Sequence, residues 1–253
     1  MMDMGFVEQV TSILEYAPGD RQTLLFSAPM PSEIQQLSRS IQREPVTVEV
    51  DSRVAPSLLR QLVFECGHGE RHQTVMNLLA QYRPKTALVF SETRVDCDIL
   101  ADRLCDHGAV ALPLHGLMEQ RDRDDVLLQF ANGSASVLVA TNVAARGLDI
   151  PALPMVIISE LSHEPESHLH RIGRTGRAGE EGIALSVVEP RELERLECVE
   201  DLMGEFLERG PKLVHSDNLR FLQPTYRTLL ILAGRSDKLR KADVLGGLVK
   251  DAG

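Results

Sequence analysis

The sequence has 253 residues, 43% of them hydrophobic, enough to close a real core in one large or two modest domains. It has no run of about 18 apolar residues, which excludes a membrane-spanning helix, and its start, MMDMGFVEQV, lacks the charged-then-apolar pattern of a secretory signal. With a formal net charge of −10 and a pI near 5.3, nucleic-acid binding does not follow from overall charge and would need a local basic groove.

In chain order, GFVEQVTSILEYA reads as an amphipathic helix, QTLLFSAPM as a buried strand and SEIQQLSRSIQR as a second helix. Residues 1–45 thus hold one and a half strand–helix units, too few to close a core, and are expected to be the remnant of a preceding α/β domain. EPVTVEVDSRVAPS reads as a linker, assigned to residues 46–60. From 61 to 209, the short apolar runs QLVFEC, TALVFS, VALPLH, SVLVAT, MVIIS and IALSVV read as strands covered on both faces. Between them ERHQTVMNLLAQY, TRVDCDILADRLCDHG, EQRDRDDVLLQFANG and ESHLHRIGRTGR read as helices. RGPKLVHSDNLRFLQP marks a second linker, 210–224, and 225–253 reads as one strand, a basic turn and one helix. The chain therefore reads as unfinished at both ends.

This alternation predicts an α/β fold with a doubly wound parallel sheet, in which ligands meet the carboxyl ends of the strands. That rule brings Ser91 to Arg94, His115 and Gly116, Thr141 to Asp149 and the loop before Glu166 to one edge. Cys66, Cys97, Cys105 and Cys198 show no close pairing, the pattern of reduced thiols in a cytoplasmic protein. His168 and His170 are two apart, a spacing that does not suit a metal site, and no metal ligands are assigned. HRIGRTGRAG puts three arginines and three glycines into ten residues. Arginines three apart would share one side of a helix and converge on one anion.

The motifs then carry a resemblance. VLVATNVAARGLDI followed downstream by HRIGRTGRAG resembles motifs V and VI of the DEAD-box RNA helicases, and LVFSETR is similar to their motif IV. LHGLMEQRDRDDVLLQF carries a His-Gly pair and a Gln-x-x-Arg element, LLFSAPMP resembles motif III, and MMDMGF is similar to the segment just after the Asp-Glu-Ala-Asp box. The histidine opening motif VI favours this family over its DEAH relatives. The resemblance implies a RecA-like helicase C-terminal domain, flanked by a partial first-domain remnant.

It also implies roles. Arg174 and Arg177 would stabilise charge on the γ-phosphate of ATP as arginine fingers. Gly147 would let the backbone approach the nucleotide, and Asp149 would accept hydrogen bonds from its ribose. Thr93, Gly116, Gln120, Arg123 and Thr141 would line an RNA backbone without reading sequence. His170 and Arg171, with Ser27 and Pro29 of motif III, would couple the two domains. Two positions depart from the family: Asn142 stands where motif V usually has aspartate, weakening a salt bridge to motif VI, and Pro29 stands where motif III has threonine.

No G-x-x-x-x-G-K-[ST] stretch and no Asp-Glu-Ala-Asp box occurs in the sequence. ATP and Mg²⁺ would then be held by an N-terminal RecA-like domain in cis that these residues do not include, and the chain alone would be inactive. The tail TLLILAGRSDKLRKADVLGGL is similar to the opening of the RRM-like domain of the DbpA-type helicases, with Arg235, Lys238, Arg240 and Lys241 as its basic cluster. That likeness implies ribosomal RNA as partner and a place in large-subunit assembly, with no membrane. Two other readings stay open: a non-catalytic RNA-binding or regulatory module, and a DNA-directed superfamily-2 helicase.

Overall fold

The computed structural model describes residues 7–26, 32–48, 58–145, 153–176, 179–231, 233 and 237–250. The chain divides into two compact units, 1–52 and 53–253. In the first, α1 (Val7–Glu15) and α2 (Ser32–Ile41) form as their patterns predict, and α2 buries Ile34 and Leu37, which are three apart on one helix face. The expected buried strand is a correction. Residues 22–26 form none, and Leu24 and Phe26 are 68% and 88% exposed. A strand exists through its ladder partners, and no strand among the described residues of this unit offers one.

The second unit is built on one sheet. Its strands are β1 (Leu59–Glu65), β2 (Ala87–Ser91), β3 (Ala111–Leu114), β4 (Val137–Thr141), β5 (Met155–Ile158), β6 (Gly182–Val188) and β7 (Glu208–Arg209). They lie in the order β3-β4-β2-β5-β6-β1-β7, and every pairing is parallel. Alternate residues along each strand serve two cores. Leu62, Phe64, Val89, Val139, Ile157 and Leu185 face one, packed by α3 (Arg71–Tyr82) and α4 (Arg94–Asp106). Val63, Leu88, Phe90, Leu138, Val156 and Ile158 face the other. This second face is covered by α5 (Gln120–Ala131), the single turn α6 (Asn142–Ala145), α7 (Pro165–Ile172) and α8 (Leu193–Met203). The sheet is therefore doubly wound, and all the apolar runs form strands because both faces are covered.

Two elements differ from the sequence reading. Helix α7 stops at Ile172, so Arg174 lies beyond it and does not share a helix face with Arg171; Arg177 lies outside the described residues. Gly173 caps the helix, and Thr175 then bridges to Leu153, in parallel, just before β5. Gly176 has φ +66, a left-handed turn that a helix cannot continue through. The tail is the second difference. Residues 225–231 form no strand and expose Leu229 and Leu230, while α9 (Lys241–Lys250) forms as expected.

The segment 210–224, read as a linker, crosses the domain. Leu219 and Leu222 are buried in the first core, and Leu219 N–H donates to the carbonyl of His107 at 2.8 Å. Asn77 accepts the Ser216 N–H at 2.9 Å, and Thr228 bonds Asn132 and Ser134, both at 2.9 Å.

Gly182, the first residue of β6, is where the loop after α7 meets the sheet. A Cβ there would collide with the Thr175 hydroxyl and the Gly176 backbone. Gly182→Ala is expected to lower the unfolding free energy by about 1–3 kcal/mol, as overpacking does. Gly116→Ala, whose Cβ meets nothing within 4 Å, should stay within about 0.5 kcal/mol. Urea denaturation of the two variants checks both.

Candidate nucleic-acid and nucleotide interface

Because every strand is parallel, the turns after β2, β3, β4 and β5 open on one edge. The β2–β4 register sets Ser91 directly beside Thr141. Thr93 caps α4, its hydroxyl accepting the Asp96 N–H at 3.1 Å, and so fixes the turn after β2. Asp96 in turn accepts from Ser91 Oγ at 2.6 Å and pairs with His72 Nε2 at 2.6 Å. Burial would push its carboxyl up, but the hydrogen bonds from His72 and Ser91 outweigh that and hold it below the usual carboxylate range. The turn thus has the Asp96 carboxylate behind it and Thr93 in front.

After β3, His115 pairs through Nε2 with Asp98 at 3.0 Å, and Gly116 faces open space. Gln120 begins α5, accepts from Arg123 Nη1 at 3.3 Å and donates to Asp124 at 2.7 Å. Arg123 is half-buried, and its Nε has no hydrogen-bond partner among the described residues. Thr141 ends β4 and is buried. The neighbouring Asn142 reaches α7, its Nδ2 donating to Ser167 Oγ at 3.1 Å. The amide at this departure from the family pattern therefore still links motif V to the helix that leads into motif VI, by a neutral hydrogen bond.

Arg171 differs most from what the resemblance implies. It is 1% exposed and its charge is spent inside the domain, not offered to another. Nη2 pairs with Glu92, Nη1 donates to the Glu160 carbonyl at 2.8 Å, and the guanidinium lies 5.5 Å from the centre of the Phe90 ring. The described residues thus already partner this side chain within the domain, where the resemblance implies an interdomain bridge. A second buried arginine, Arg71 on the opposite face, donates to the adjacent carbonyl of Ser159 and pairs with Glu192 at 2.7 Å. The end of β5 is thus held from both sides. The sequence puts Glu92 on this edge, within Ser91 to Arg94, but gives it no role of its own.

His170 and Arg174 are half-buried. Arg174 is fixed by its main chain: its N–H donates to the Arg171 carbonyl at 3.1 Å, and its carbonyl accepts from Leu153 N–H at 3.2 Å. Arg177, Gly147, Asp149, Ser27 and Pro29 lie outside the described residues. The described part of the tail's basic cluster, Lys238, Arg240 and Lys241, is exposed. Cys97 is no nucleophile: burial pushes its thiol up to about 12, and Sγ faces the Val139 carbonyl at 3.0 Å. Among the described residues, no three His, Cys, Asp or Glu side chains are grouped to hold a metal ion. The cationic Arg174 suits a phosphate group, whereas the described residues offer Mg²⁺ no ligand set.

The fold and this edge define a RecA-like helicase C-terminal domain. Residues 70–179 match the helicase conserved C-terminal domain family. Over all 253 residues the chain is 43% identical to the ATP-dependent RNA helicase DbpA of Escherichia coli, of which it covers 55%. The E. coli DEAD-box protein SrmB, in a structure with the regulator of ribonuclease activity A, is 30% identical; the match has a TM-score of 0.57 and covers 68% of this chain and 98% of that one. Saccharomyces cerevisiae Dbp5 bound to RNA and ADP BeF3 is 28% identical, with a TM-score of 0.74 over 82% of this chain and 56% of that one. The chain belongs to the DEAD-box protein family. It spans about half the length of the curated relatives it matches.

One buried group here carries a pH dependence. His168 on α7 is 4% exposed, and neither ring nitrogen has a hydrogen-bond partner among the described residues. Burial, then the charge of Arg171, pulls its pKa down to about 4 from 6.5. The folded value lies below the unfolded one, so the neutral ring's contribution is whole above pH 6.5 and is lost as pH falls from there towards 4. On the order of 3 kcal/mol is at stake. His168→Gln should flatten the stability–pH curve over this window relative to the wild type, read by thermal melts across a pH series.

Proposed function

We propose that the chain supplies the second RecA-like domain of an ATP-dependent RNA helicase. Its strand-end edge, with Thr93, Gly116, Gln120, Arg123 and Thr141, would bind the RNA backbone, while Arg174 and Arg177 would meet the γ-phosphate of ATP. The observation that carries this reading is the topology: a hydroxyl, an open glycine and a guanidinium follow the carboxyl ends of parallel strands β2 and β3, and a second hydroxyl ends β4. Such groups are suited to phosphate and sugar oxygens. Gly147 and Asp149 would receive the nucleotide, with Mg²⁺ ligated from the first domain, and Ser27 and Pro29 in the remnant of that domain would couple it to His170.

Within this reading the RNA is ribosomal and the work is large-subunit assembly in the cytoplasm, with residues 225–253 opening an RRM-like RNA-binding domain. The match to the ATP-dependent RNA helicase DbpA, which runs through the tail, supports an RNA partner. The four unpaired cysteines suit a reducing compartment.

The 253-residue chain alone should release no phosphate from ATP, with or without RNA. Joined from Arg53 onward to the P-loop domain of the E. coli relative, it should give RNA-stimulated turnover, and Arg174→Ala in that fusion should lower kcat by roughly 10³-fold with little change in KM. A fusion active with Arg174→Ala, or stimulated by DNA as well as by RNA, would overturn the assignment.

Arg123→Ala should weaken binding about equally across RNA sequences and reduce the slope of log affinity against log salt by about one. Fluorescence anisotropy with two unrelated single-stranded RNAs over a salt series measures both quantities.

A further inference from the structure

On that reading of the edge, we propose that Glu92 is a positioning residue: through Arg171 it ties the turn that takes RNA to the loop that carries Arg174. Glu92 sits between Ser91, the last residue of β2, and Thr93, the cap of α4. Its carboxylate accepts from Arg171 Nη2 and is 24% exposed, while the arginine side chain is 1% exposed. Among the described residues Glu92 is the carboxylate that Arg171 pairs with; the Glu160 carbonyl and the Phe90 ring complete its surroundings.

Arg171 belongs to two places at once. Helical side chains lean towards the N-terminus of their own helix, and the guanidinium accordingly reaches back to the strand-end edge. Its main chain lies at the other end of α7, where its carbonyl accepts the Arg174 N–H and the next turn of chain bridges to the start of β5. Guanidinium cannot shed its proton, and a buried charge left without its partner is strongly unfavourable. A phosphate backbone seated against Thr93 displaces the turn and Glu92 with it. Arg171 follows, and Arg174 moves through the main chain. Glu92 itself touches neither ligand.

Hydrogen–deuterium exchange of the 253-residue chain, with and without a short oligouridylate, tests this directly. RNA should protect the amides of residues 93–96 and slow exchange at Arg174 and Thr175 by about fivefold, the low end of site-to-site coupling. Glu92→Gln should keep the first response and lose the second, and Glu92→Asp should restore it. If Glu92→Gln does not fold, the double variant Glu92→Gln with Arg171→Gln, which leaves no unpaired charge, carries the same test. A response at Arg174 that persists in either glutamine variant overturns the proposal, as does wild-type protection at the turn without any at the loop. If RNA protects neither residues 93–96 nor residues 116–123 of the wild type, the RNA reading itself fails and this inference falls with it.

Discussion

A guanidinium keeps its proton in any protein interior, so a fully buried arginine obliges the chain around it to supply acceptors. Arg171 imposes that obligation on three parts of the fold: the turn after β2 gives Glu92, the turn after β5 gives a carbonyl, and β2 gives the Phe90 ring. Arg71 imposes the same on the opposite face, drawing the Ser159 carbonyl and Glu192 to it. Ser159 and Glu160 are neighbours, so β5 ends between two trapped charges. The edge where the turns after the strands collect is held by these charges as well as by the sheet.

This arrangement explains how an acidic chain can present a face suited to phosphate. The cations nearest the edge are not spread as a field. Arg171 and Arg71 are neutralised internally, while Arg123 is half-buried, flanked in sequence by Asp122 and Asp124, and donates to Gln120. Hydroxyls and an open glycine make up the rest. Affinity built that way depends on geometry more than on net charge, which is why pI alone said nothing about the partner.

The strands were legible because burial on both faces turns them into unbroken apolar runs, and a parallel register then decides which turns share an edge. The same logic misled at QTLLFSAPM and in the tail, where apolar runs meet no partner strand among the described residues and stay exposed. Motif VI was read as a helix throughout because arginines three apart suit one, yet Gly173 and Gly176 end it. Glycine identity carried that information, and spacing overrode it. The parts played by Glu92 and His168 were not legible for a plainer reason: they lie in what is buried beside each residue, and one residue of sequence does not carry its neighbours in space.

The sheet's two outer strands are unlike its interior. β3 is four residues long and contains Pro113, which has no N–H to offer, and β7 is two residues, Glu208 and Arg209, both charged and exposed. Short, proline-bearing or charged borders give other copies little backbone to template against. A parallel sheet whose central strands are almost wholly apolar is by its nature prone to edge-to-edge aggregation. Here the long apolar strands are confined to the interior of the sheet, and its two borders give another copy little to pair with.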